Sequence, residues 1–127
     1  MKVTRFTPTT EGGSQFGEIE IRTNNASTDE FGNTVHRSRV FPVLSTMVSE
    51  LPEGMVQDWH PASRRQFVMV MSGTVEVETT DGRKQSWRAG EMFLANDAGS
   101  RGHRTRTVGG PARLLFLHLP DDLEFDG

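Results

Sequence analysis

Glycine and proline interrupt this chain too often for helices of ordinary length. Thirteen glycines and six prolines fall within 127 residues. No window longer than about ten residues keeps a helical spacing of apolar side chains without meeting one of them. The runs between these interruptions alternate instead. In FGEIEI (16–21), Phe16, Glu18 and Glu20 share one face while Ile19 and Ile21 share the other, the period of a strand with one buried side. KVTRF (2–6), RVFPVLSTMVSEL (39–51), MVQDWH (55–60), EMFLA (91–95), HRTRTV (103–108) and ARLLFLHLP (112–120) read the same way, and RQFVMVMSGTVEVETTDGRKQSWRAG (65–90) holds two or three more strands. The turn PEG (52–54), Ser72–Gly73 and the hairpin signal Asp81–Gly82 separate them. Short strands at near-regular spacing predict an all-β fold, an antiparallel sandwich or barrel of roughly eight to ten strands.

No repeat, low-complexity tract or linker divides the chain, so 1–127 reads as a single domain with its core barrel over about 40–120. Residues 22–38, RTNNASTDEFGNTVHRS, are polar and rich in turn formers and read as a long loop, a lid or a partner-contacting arm. The acidic tail DDLEFDG reads as a frayed end or a short cap.

Composition narrows the chemistry. The apolar share of 34% and charged share of 24% are those of a globular chain. A net charge of −3, from 14 basic and 17 acidic residues, argues against nucleic acid or an anionic membrane as partner. With no cysteine, any metal must be held by nitrogen and oxygen. The basic start MKVTRFTPTTEGG has no apolar run behind it, and no stretch nears the roughly 20 apolar residues of a membrane span. The default expectation is a cytoplasmic protein.

Four histidines are present: His36, His60, His103 and His118. His36 lies in the polar loop and reads as solvated. His118 shares a strand face with Leu114 and Phe116, as a core histidine or a pocket-lining one. His60 and His103 each read as opening a strand after a turn-rich segment, where the polar groups of a barrel mouth gather. Along RQFVMVM, Gln66, Val68 and Val70 share one face, and Phe67, Met69 and Met71 the other. One register therefore brings His60, Gln66 and His103 together inside. Imidazole suits iron, zinc, copper or nickel, with an amide oxygen as a weaker third ligand. Arg64 falls on the Gln66 face if the strand extends that far, where its guanidinium would meet a carboxylate, and reads equally as a solvated arginine in a turn. Trp59 reads as a stacking surface or as buried structure. The cluster Arg101, Arg104 and Arg106 suggests an anion site, but Arg104 and Arg106 alternate away from His103 and read rather as a solvated face or a partner surface. Neither Asp58 nor Glu91 can be placed beside a histidine from the sequence.

At this point the spacing resembles a known family. GMVQDWHPASRRQFVMVMSG is similar to the first motif of the cupins, with Gly54, His60 and Gly73 on pattern positions, Ala62 where the second histidine would stand, and Gln66 where the glutamate would stand. RAGEMFLANDAGSRGHRT is similar to the second motif from Gly90 onward. Asn96 and Ala98 replace its usual proline and glycine, and His103 arrives two residues late. The resemblance spans about 44–118. It implies a cupin-type double-stranded β-helix (a jelly-roll barrel), a small-molecule ligand in the barrel, and a homodimer that shares edge strands. The apolar set Phe67, Met69 and Met71 on the barrel exterior fits such cover. In ordinary cupins these motifs bind a divalent metal. Carried over residue by residue, the ligands here are His60, Gln66 and His103, a degenerate site, because glutamine offers only a dipole where glutamate offers a charge. Trp59, Arg64, Phe116 and His118 stand as substrate-binding candidates.

Three functional expectations follow. One is an enzyme of oxygenase, isomerase or lyase type using a weakly held Fe, Zn, Ni, Cu or Mn. A second is a non-catalytic metabolite-binding or sensing barrel without metal. The third is metal-free acid–base catalysis at His60 or His103, for which no carboxylate partner is visible and the chain has no tyrosine.

Overall fold

The computed structural model describes residues 1–125, and within them the chain is all β. Twelve strands are formed: β1 (Lys2–Pro8), β2 (Ser14–Glu20), β3 (Asn25–Thr28), β4 (Thr34–Arg37), β5 (Ser45–Leu51), β6 (Val56–His60), β7 (Gln66–Ser72), β8 (Thr74–Glu78), β9 (Lys84–Arg88), β10 (Met92–Ala95), β11 (His103–Thr107) and β12 (Ala112–His118). Two strands beyond the expected range come from the segment read as a loop. Asn25–Thr28 and Thr34–Arg37 pair only with each other, closed by an Asp29 turn whose Oδ1 accepts from the Phe31 and Asn33 amides. Both strands are exposed at every position. They lack the alternating burial that makes a strand visible in sequence.

The other ten strands form two sheets, in the orders β2-β1-β10-β7-β12-β5 and β6-β11-β8-β9. All pairings are antiparallel except β1 with β10. Four short links carry the chain from one sheet to the other: 52–55, Gly73, 89–91 and 108–111. Links this short bring the adjoining ends of β5 and β6, β7 and β8, β9 and β10, and β11 and β12 together across the two sheets. The tightest is the single residue Gly73, at φ +77° with the Pro111 carbonyl against its Cα. A side chain there would be strained and blocked.

Between the sheets lies the main core. Phe6, Val68, Val70, Phe93 and Leu114 come from the larger sheet and Val75, Val77 and Trp87 from the smaller. Alternation sorts charge outward on the smaller sheet, where Glu76, Glu78, Arg104 and Arg106 pair across strands. A second core covers the outer face of the larger sheet. There Phe67, expected to be covered by a second copy of the chain, is instead buried within its own chain among Leu94, Leu119 and Leu123 and forms an aromatic triad with Phe41 and Phe125 at 5.7–6.1 Å. Burying Phe67 and Leu119 in this way contributes about 1.5–3 kcal/mol each. The segments before β5 and after β12 thus cap this face, although Met71 stays 50% exposed. Asp126 and Gly127, the end of the tail read as a cap, lie outside the described residues.

Candidate functional site

The four short links occupy one end of the sandwich, and the strand ends remote from them, with the longer crossings 61–65 and 96–102, make the other. At that second end His60 closes β6, where the sequence suggested it would open a strand, and His103 opens β11. The two are direct cross-strand partners. Between this pair and the Thr105–Gln57 pair the register slips, so that Asp58 and Trp59 together oppose Arg104. This is a β-bulge, and it turns His60 to the side on which His103 and Thr105 are buried. The imidazole centroids lie 4.7 Å apart at 52°, and His103 packs on Phe6 at 4.6 Å.

Both rings are held through Nδ1. The Asp58 carbonyl oxygen, 2.7 Å from His60 Nδ1, can only accept, so that nitrogen carries the proton. His103 Nδ1 lies 2.6 Å from Oδ2 of Asp97, a fully buried carboxylate whose Oδ1 accepts from the Ala62 amide at 2.8 Å. Nε2 is left as the uncommitted nitrogen of each ring. Asp97 is therefore the carboxylate that sequence reasoning did not find. It sits in the lengthened loop NDAGSRGH, six residues before His103, and only the fold of that loop brings it under the ring. Asp58 and Glu91 do other work: Asp58 lies 3.5 Å from Arg104, and Glu91 accepts from the Arg88 amide. Ala62, at the missing-histidine position, is buried in the core and holds Asp97 through its backbone.

The loops are locked together by Gly102, which lies at φ +83° with its Cα against the His60 carbonyl and the Pro61 nitrogen, where no Cβ could stand. Its own carbonyl accepts from the buried Ser14 hydroxyl at 2.7 Å.

The facing sheet brings its own residues to this end. Gln66 opens β7 between Ala95 and His118, its cross-strand partners, and shares the inward face of Val68. Phe116 pairs with Val68 and packs on the main core. His118 closes β12, its Nδ1 2.7 Å from the Ser45 hydroxyl. Two substrate-binding candidates lie elsewhere. Trp59 is 41% exposed with the Arg104 guanidinium 5.8 Å over its ring, on the outward side of the bulge. Arg64 is exposed in the link 61–65, outside any strand.

As metal ligands, His60 and His103 have the outer-shell hydrogen bonds that fix ligating imidazoles. The rest of the donor set falls short. With Gln66 it is wholly neutral, and among the described residues no group of three or more His, Asp or Glu side chains stands together to hold an ion.

No family model and no curated protein matches the chain. Among solved structures it is similar to protein NMB1881 from Neisseria meningitidis, at 24% identity over 59% of this chain and 72% of that one, with a TM-score of 0.50. That is a likeness of fold. A looser likeness, with a TM-score of 0.35 and 19% identity over 90% of this chain and 67% of the other, is to NovW, a 4-keto-6-deoxy sugar epimerase from the novobiocin biosynthetic cluster of Streptomyces spheroides.

Proposed function

We propose that this chain is a small-molecule-binding protein built on a cupin-type jelly-roll barrel, with its working site at the end where His60 and His103 meet. The strand orders support the barrel reading, since β5-β12-β7-β10 over β6-β11-β8-β9 is the eight-strand pattern of two interlocked Greek keys. The observation that carries the site is the His103–Asp97 pair, with the His60 ring 4.7 Å away. A buried carboxylate on Nδ1 fixes the tautomer that leaves Nε2 as the base, and stabilises the imidazolium once Nε2 has taken a proton from a bound ligand. Of the three expectations, acid–base chemistry gains most, because the carboxylate it lacked is in place.

A divalent ion (Fe, Zn, Ni, Cu or Mn) at His60, Gln66 and His103 is the second reading, favoured by the hydrogen bonds on both Nδ1 atoms. Elemental analysis of protein from rich medium, before and after loading with each ion, separates the two. The acid–base reading expects far less than one ion per chain in wild type. A stoichiometric ion lost in both His60→Ala and His103→Ala would replace it with the metal reading. An ion kept by both variants would remove these histidines from the metal site.

The chain is also proposed to be a homodimer. Val48 and Val56, on strands that lie at the edges of their sheets, are 58% and 59% exposed, and Leu44 beside β5 is 60% exposed. Uncovered apolar side chains along unpaired edges invite a second copy.

A further inference from the structure

The sheet-crossing links determine what stands opposite the two histidines. Link 52–55 joins β5 to β6, and Ser45 and His60 are the strand ends remote from it. Link 108–111 joins β11 to β12, and His103 and His118 are the strand ends remote from that one. Ser45 and His118 are cross-strand partners in the larger sheet, as His60 and His103 are in the smaller. Each wall of this end thus carries a hydrogen-bonded histidine: His103 on Asp97, and His118 on Ser45 at 2.7 Å. Gln66 extends the second wall, and Phe116 and Met47, a further cross-strand pair on the same face, floor it.

The inward residues of these strands share one property. On β5 they are Ser45, Met47, Ser49 and Leu51, the partners of His118, Phe116, Leu114 and Ala112 on β12. On β7 they continue from Gln66 to Val68 and Val70, and on β11 from His103 to Thr105 and Thr107. None is a lysine, arginine, aspartate or glutamate. The charges of β6 and β11 are turned outward, with Arg104 by Asp58 and Arg106 on Glu76. Asp97 is fully buried, its oxygens taken by His103 Nδ1 and the Ala62 amide. A charged ligand would meet no lysine, arginine, aspartate or glutamate side chain on these inward faces, and taking it out of water would cost several kcal/mol.

We infer that the His118–Ser45 wall and the His60–His103 wall form one two-sided site for an uncharged small molecule bearing carbonyl or hydroxyl oxygens, with Ser45 as the positioning residue that holds His118. This rests on the proposed site at His60 and His103, and adds to it the second wall and the class of ligand.

The test is nitrogen-15 NMR of the intact chain labelled at histidine. His36, on the exposed hairpin, is the internal reference, and signals are assigned by single His→Asn variants. Ser45→Ala should change the ring-nitrogen pattern of His118 and leave that of His103 unchanged. Hydroxyacetone, which is neutral and carries both oxygen types, should shift His60, His103 and His118 together. Its half-saturating concentration should lie about tenfold below that of acetate or inorganic phosphate, a difference of about 1.4 kcal/mol, and should rise several-fold in Ser45→Ala. Tighter binding of acetate, lost in Arg64→Ala, would overturn the ligand class in favour of a carboxylate held by the link 61–65. A response of His60 and His103 with His118 silent would overturn the second wall while sparing the proposed site. Silence of all three rings toward all three probes would overturn both.

Discussion

Asp97 shows how much one side chain can hold at this end of the sandwich. Its two oxygens join the first residue of β11 to the link that follows β6, through His103 Nδ1 and the Ala62 amide. Asp97→Asn keeps the shape but puts a donor against one of two donors. Chemical denaturation should show a loss of about 1–3 kcal/mol, and the His103 ring signals should move while those of His118 stay. Gly102 is the second such residue. Gly102→Ala adds a Cβ where the His60 and Pro61 backbone already lies, at a φ that alanine disfavours. The expected loss is about 2–4 kcal/mol, read as a lower denaturation midpoint, with the His60–His103 spacing disturbed. By contrast, Gly54→Ala has open space around its Cβ and should cost only the conformational strain, about 1 kcal/mol.

Among the elements, the hairpin β3–β4 and the sheet β6-β11-β8-β9 make opposite predictions. The hairpin pairs with nothing else and is exposed throughout. Replacing Asn25–Arg37 by a short glycine-serine link should leave the melting behaviour of the rest within about 0.5 kcal/mol. In the smaller sheet, the Arg106 guanidinium meets Glu76 through two hydrogen bonds, at 2.7 and 3.1 Å. That donor holds the Glu76 carboxyl below its ordinary value of 4.5. A group whose folded value is depressed adds stability above its ordinary value and loses it as pH falls through the depressed one. The pair should therefore weaken only below about pH 4.5. Because Arg106 is half exposed, the effect should stay under about 1 kcal/mol. Urea titrations between pH 3 and 7 on wild type and Glu76→Gln would show the acid limb flatten in the variant.

For the whole molecule, the exposed edges of β5 and β6 carry the dimer reading. Sedimentation velocity should give a dimer, and Val48→Lys with Val56→Lys should shift it toward monomer with little change in melting temperature. A monomeric wild type would sink that reading. The sequence alone determined the all-β class, the turn positions, the inward face of β7 and the outward set of Arg104 and Arg106, because alternation and glycine placement are local properties of the chain. It also singled out His60 and His103, through spacing that local geometry makes meaningful. Tertiary structure alone decided that Phe67 is covered by Phe41 and Phe125, that a bulge at Asp58–Trp59 turns His60 inward, and that Asp97 sits beneath His103. Each of these depends on segments far apart in sequence meeting in space, and no period along the chain encodes which loop will close over which ring. The hairpin is the converse case, a local structure hidden because it buries nothing and so leaves no hydrophobic pattern to read.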